Sequence, residues 1–142
     1  MKQKKNIKID ETNIDLETVV NNCVYSSKEK IVGEWFGKPL YSKTFYVSAL
    51  SNTAGGTNYN HNIANVDKIW LDLSSSFLDK GGYEFSPLCF IHPELIANGF
   101  SINQYGSITV DGLTSTNFRI NVGQDRSDWS AYITLKYTKT TD

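Results

Sequence analysis

The chain reads as an all-β protein. The expected form is an antiparallel β-sandwich, with the jelly roll among its candidate topologies, preceded by an extended N-terminal arm. Three observations lead there. From Tyr25 onward, short runs alternate apolar and polar residues, the period of half-buried strands. Clusters of Gly, Pro, Asn and Asp break these runs at near-regular intervals. No long stretch carries a helical period, so seven or eight short strands are expected. The 142 residues fit one domain, large enough to bury a core without disulfides or metal. A hydrophobic fraction of 39% with 13% aromatics suits a sandwich better than a helical bundle.

Residues 1–24 differ from the rest. They are rich in Lys, Asn, Asp and Glu and carry no Gly, Pro or aromatic residue. The apolar points Ile7, Ile9, Ile14, Leu16, Val19 and Val20 fit neither period. The expectation is an extended attachment arm with one short helix or strand over DLETVVNN, or else a disordered terminus. The sandwich domain then covers residues 25–142.

Within it, Lys30–Phe36 is the first candidate strand. Gly37-Lys38-Pro39 reads as a turn, and Leu40–Ala49 returns as the second arm of a hairpin. Tyr41, Phe45 and Val47 lie on one face of that return strand, and Ser42, Thr44 and Tyr46 on the other. Ser51–Asn65, dominated by Gly, Asn, Ser and Thr, reads as a long loop, and loops of that length are usually functional or disordered. Val66–Ser74 reads as a strand with Ile69, Leu71 and Leu73 on one side. Lys68, Trp70, Asp72 and Ser74 take the other, which places Trp70 on a polar face.

Asp79-Lys80-Gly81-Gly82 reads as the next turn, and Tyr83–His92 is mixed. Pro93–Asn98 fits one helical turn capped by Gly99. Phe100–Asn103 and Ser107–Val110 flank a hairpin signal at Gln104-Tyr105-Gly106, and Asp111-Gly112 is another turn. Asn117–Val122 alternates cleanly, with Phe118, Ile120 and Val122 inward. After a polar loop, Gly123–Asp128, the strand Trp129–Thr138 closes the domain. Its inward face is expected to carry Trp129, Ala131, Ile133, Leu135 and Tyr137.

A formal net charge of −1 gives no electrostatic case for nucleic acid or membrane binding. Lys2, Lys4, Lys5 and Lys8 make a short basic start that reads as a solvated tail. No apolar run is long enough to span a membrane, and no signal-peptide core precedes the domain. Cys23 and Cys89 lack metal-ligand spacing and read as two free thiols.

The sequence predicts no enzyme, no metal and no cofactor. His61 and His92 sit in no zinc spacing, and no nucleophile-elbow, phosphate-loop or dinucleotide fingerprint is present. No pair among the carboxylates stands out by spacing for glycoside chemistry. Asp125 and Asp128 offer calcium-type oxygens, but two carboxylates flanking Arg126 more simply make a self-paired loop. The positive signal is aromatic and amide-rich. Sugars present hydroxyls to Asn and Arg and apolar faces to Trp and Tyr. Tyr59, Asn60 and His61 on the 51–65 loop, with Trp70 and Arg119, therefore form a candidate glycan site. Against it stand burial of Trp70 on a neighbouring subunit or the arm, and simple mobility of the loop. Trp35 and Trp129 read as core anchors.

Two segments carry a family resemblance. Tyr25, Ser26, Glu29, Val32, Gly33, Trp35, Gly37, Lys38, Pro39, Tyr41, Lys43 and Thr44 fit an opening pattern YSxxExxVGxWxGKPxYxKT. Tyr132, Thr134, Leu135, Tyr137 and the last five residues, Thr138–Asp142, fit a closing pattern YxTLxYTKTTD. Together they resemble the C-terminal domain of bacteriophage and prophage head-fibre and tail-fibre proteins, over Tyr25–Asp142. The resemblance implies a virion structural protein made in the host cytoplasm and likewise a homotrimer, in which packing would bury Trp70. It implies contacts to other virion proteins through residues 1–24, a role in capsid or tail decoration or host-surface attachment, and host or mucus glycans as candidate ligands. The alternative function is a carbohydrate-binding module with its site on the 51–65 loop. Many such fibres carry this domain on a long shaft. Here only residues 1–24 precede it, which fits a short head fibre as well as a fragment. The matched residues read as fold-defining rather than ligand-binding.

Overall fold

The computed structural model describes residues 6–9, 12–15, 25–82, 84–90 and 108–142. Among these are β1 (Asn6–Ile9), β2 (Thr12–Asp15), β3 (Lys30–Trp35), β4 (Lys38–Val47), β5 (Gly55–Asn60) and β6 (Val66–Leu71). A 3-10 turn (Leu73–Ser75) leads to β7 (Phe77–Gly81), β8 (Glu84–Pro87) and β9 (Cys89–Phe90). The remaining strands are β10 (Ile108–Val110), β11 (Asn117–Val122) and β12 (Ser130–Lys139).

The protein is all-β, and two sheets make the sandwich. In the six-stranded sheet β3, β4 and β12 lie side by side, β6 and β7 share the far edge of β12, and β8 lies outside β7. The four-stranded sheet runs β5-β11-β10-β9. Pairing is antiparallel throughout except between β9 and β10, which run parallel. β1 and β2 pair antiparallel in the N-terminal segment, where an extended arm or a disordered terminus was expected, and the helix or strand expected over DLETVVNN lies, from Leu16 on, outside the described residues.

Period-2 alternation decides the core. Ala131, Ile133, Leu135 and Tyr137 point inward from β12, and each is fully buried. Phe118, Ile120 and Val122 do the same from β11. The sheets meet where Phe45 of β4 packs on Phe118, with ring centroids 5.6 Å apart. Burying each such side chain contributes about 1.5–3 kcal/mol, and β12, bonded to β4, β6 and β7, concentrates these residues.

Four expectations need correction. The first hairpin turns at Phe36-Gly37, where both residues take positive φ (47° and 80°), the geometry of a two-residue hairpin turn. Lys38 and Pro39 therefore belong to β4, facing Trp35 and Glu34. Gly55–Asn60 is a strand inside the expected 51–65 loop, paired with β11 from Asn60↔Asn117 to Gly55↔Val122. β6 stops at Leu71, and Leu73 sits half-exposed in the 3-10 turn. β7 continues through Asp79, Lys80 and Gly81, so the chain reverses beyond it and Gly81 faces Glu84. Cys23, the helical turn expected at Pro93–Asn98, the strand at Phe100–Asn103 and the turn at Gln104–Gly106 lie outside the described residues.

Candidate functional site

The five residues expected to hold a glycan do not share a surface. His61 is fully buried. Its Nδ1 accepts the Ile63 N–H at 3.1 Å, so the ring proton sits on Nε2 and is donated to the Thr114 carbonyl at 3.1 Å. Both ring nitrogens are thus occupied by the fold, and burial pushes the imidazole pKa down. Tyr59 also points inward and stacks on Phe118, with centroids 5.4 Å apart. Burial raises its pKa.

Asn60 and Arg119 lie on the outer face of the four-stranded sheet. Asn60 is exposed, and its Oδ1 accepts the Asn62 N–H at 2.8 Å. Arg119 donates from Nε (2.8 Å) and Nη2 (2.6 Å) to the two carboxylate oxygens of Asp111. Asp111 is 1% exposed, so the guanidinium neutralises a charge that would otherwise be buried alone. Gly56 makes room for this arrangement: a Cβ there would lie 2.6 Å from Asn121 Oδ1 and 2.8 Å from Arg119 Cδ.

Trp70 lies on the opposite outer face, across the core. It faces Lys136 of β12 and packs on Trp35 at 4.9 Å. Trp35 is not the expected core anchor. It is 39% exposed and forms, with Trp70 and the 90%-exposed Phe36, an aromatic patch at one end of the six-stranded sheet. Trp129 does pack against the core. In the 123–128 loop, Asp125 Oδ1 accepts the Ser127 N–H and hydroxyl, and Asp128 lies 3.7 Å from Lys80. Among the described residues no group of three His, Cys, Asp or Glu side chains could hold a metal ion. No helix among them is long and apolar enough to cross a membrane.

The structure assembles a second constellation on the same outer face as Trp70. Register places Tyr46 beside Tyr132 and Tyr132 beside Phe77. Tyr46 and Tyr132 are 4.8 Å apart. Phe77 stacks on Tyr132 at 4.7 Å and meets Phe85 edge-on at 6.3 Å. The row crosses β4, β12, β7 and β8. Tyr25 approaches it from before β3, held by a hydrogen bond of 2.8 Å from the Thr44 N–H to the Ser26 carbonyl. Between Tyr25 and the rings lie two adjoining clefts of about 280 and 270 Å³. The alternation of β4, which puts Tyr46 on a polar face, was the available signal. Its meeting with Tyr132 and Phe77 depends on strand register, which no local pattern encodes.

Comparison with known protein families, with curated proteins and with solved structures gave no match.

Proposed function

We propose that the chain is a bacteriophage virion structural protein. In this reading it is a non-enzymatic head-fibre or tail-fibre type domain that forms a homotrimer. It decorates the capsid or tail or attaches the particle to the host surface.

The observation that supports this reading is the interlocking of the two motif segments. The opening segment supplies β3 and β4 and the closing segment supplies β12. β4 and β12 pair at seven consecutive positions, from Tyr41↔Tyr137 to Val47↔Ala131. Tyr41 stacks on Tyr137 at 5.6 Å, and the hydroxyls of Thr44 and Thr134 bond at 2.9 Å. The Tyr137 hydroxyl donates to Glu29 Oε2 at 2.6 Å, and Lys139 Nζ reaches Glu29 Oε1 at 2.7 Å. Tyr41 donates to the carboxylate of Asp142. All these residues except Val47 and Ala131 are motif positions, so the two strings describe one packed unit. Their roles are structural, as befits a module whose function rests on its outward surfaces.

The subunit contact in this reading is the Trp35–Phe36–Trp70 patch. Phe36 holds a left-handed backbone (φ 47°), which is costly for a bulky side chain, and displays its ring almost wholly to solvent. Burial of that ring between subunits would offset the strain. Residues 1–24 would join the domain to other virion proteins.

Light scattering of the purified chain over a range of concentrations tests the oligomer. The expected result is a concentration-independent trimer that Phe36→Asn dissociates, whereas a stable monomer overturns the trimeric part of the proposal. Peptide mass spectrometry of particles released from the producing host tests virion incorporation. Absence of the chain from purified particles overturns that part.

A further inference from the structure

We infer that the outer face of the six-stranded sheet binds a neutral carbohydrate chain, oriented by the cleft between Tyr25 and the Phe77–Tyr132 ring pair. This site is separate from the 51–65 loop. The inference rests on the lining of the cleft and not on the virion reading, so either can fail without the other.

The first support is the row of rings. Tyr46 and Phe85 are 59% and 62% exposed and Phe77 is 38% exposed. Their apolar surface is open on a face where each ring is set by its strand rather than by a mobile loop. Four adjacent strands spaced by about 4.8 Å carry the row over about 14 Å, longer than a single sugar ring. Pyranose rings present C–H patches that pack on aromatic surface, and aromatic side chains carry large apolar area with little rotamer freedom to lose.

Hydroxyl chemistry at the cleft floor is the second. Thr134 Oγ1 lies 2.7 Å from the Ser75 carbonyl, which can only accept, so the single Thr134 proton goes there. In the 2.9 Å contact between Thr44 and Thr134, Thr44 must then be the donor. Its oxygen keeps acceptor capacity toward the cleft. The Ser75 hydroxyl donates to the Tyr25 oxygen at 2.9 Å, which leaves the Tyr25 proton for another acceptor. Thr44 and Tyr25 thus offer an acceptor and a donor to the cleft, the pair that a sugar hydroxyl, itself both donor and acceptor, can use.

These groups are also held in advance. The Thr134 N–H donates to Ser76 Oγ at 2.9 Å, Ser76 Oγ donates to the Asp72 carbonyl at 2.7 Å, and the Asp72 N–H returns to the Thr134 carbonyl at 2.9 Å. A prebuilt polar floor lowers the ordering cost of binding.

Charge and shape select the ligand class. Among the described residues no Lys, Arg, Asp or Glu lines either cleft, so nothing among them would favour an anionic polymer. Apolar side chains of a second copy set over Thr44 and Tyr25 would strand their remaining hydrogen-bonding capacity, which is unfavourable. A hydroxylated ligand satisfies it.

The test is affinity electrophoresis of the full chain through gels holding xylan, soluble β-glucans, mannan or galactan, with hyaluronate and polygalacturonate as charged probes. A microarray of neutral glycans extends the panel. Retardation by at least one neutral polymer is expected, weakened tenfold or more by Tyr46→Ala and by Phe85→Ala and several-fold by Tyr25→Phe. Asn58→Ala, on the opposite face, should leave it unchanged. Circular dichroism of each variant confirms the fold, which these exposed positions should not disturb. The inference is overturned by retention on charged polymers alone, by no retention or array signal anywhere, or by equal weakening in Asn58→Ala. A drop in solution mass on Tyr46→Ala or Phe85→Ala overturns it too, assigning the face to a second copy.

Discussion

The outward positions of β11 are Asn117, Arg119 and Asn121, while those of β12 are Tyr132, Thr134, Lys136 and Thr138. Both strands turn the same kind of residue inward, yet their outer faces differ in chemistry and in how far they are already occupied. On the four-stranded sheet, Arg119 is committed to Asp111, and Thr109 and Asn121 are buried. On the six-stranded sheet, Tyr46, Phe77 and Phe85 keep open ring surface, and Tyr25 stands beside them. Because side chains alternate across a strand, the core constrains every second residue and leaves its neighbours to other selection. One face uses that freedom for an internal ion pair, the other for exposed aromatics.

The comparison breaks first at the shared core. Leu135→Ala should cost about 3 kcal/mol in urea unfolding, disrupting both faces together; a loss below about 1 kcal/mol would mean the sheets do not depend on common packing. Asp111→Ala should cost about 2 kcal/mol, since it removes the buried partner of a half-exposed arginine. Adding Arg119→Ala should cost less than the sum of the two single changes. An additive result would dismiss the pair as the organiser of the polar face.

The pH dependence probes both faces from the inside. Burial holds the His61 pKa below its ordinary 6.5. The unfolded chain therefore takes up the proton first, and stability should fall as pH drops below about 6.5. His61→Gln should flatten that slope between pH 7.5 and about 5.5, measured by the urea midpoint, if it is set by this imidazole. At the other extreme, the hydrogen bond to Asp142 and burial raise Tyr41 from 10.0 to about 12. Burial and the hydrogen bond to Glu29 raise Tyr137 as well. The raised groups support the fold fully below pH 10, and that support should fade as pH climbs from 10 through about 12. Tyr137→Phe should shallow the alkaline loss, and an unchanged alkaline midpoint would remove the β4–β12 clasp as its origin.

Smaller effects separate the exposed aromatics from structure. Phe85→Ala should change stability by less than about 0.5 kcal/mol. A larger loss would make the ring row part of the fold.

Legibility in the sequence followed physical locality. The inward residues of β11 and β12 stand where alternation puts them, because side-chain period is a property of the strand itself. β5 was illegible for the same reason. Gly-Gly-Thr-Asn-Tyr-Asn has little intrinsic strand preference, and it becomes a strand because β11 offers a full set of hydrogen-bonding partners. His61, read as a loop residue beside Tyr59, is drawn inside by backbone partners at Ile63 and Thr114, 53 residues apart at the longer contact. Trp35 and Trp70, 35 positions apart in the chain, meet only because β3 and β6 lie in the same sheet.

By itself the sequence determined the all-β class, the alternation that separates core from surface, and a near-neutral net charge. Only the tertiary structure decided which outward side chains stand together. Tyr46, Tyr132, Phe77 and Phe85 become one row through the registers of β4, β12, β7 and β8. A shift of one residue in any of them would turn a ring to the other face. Register is set by the sum of core packing and turn geometry across the domain, so no local window of residues contains it.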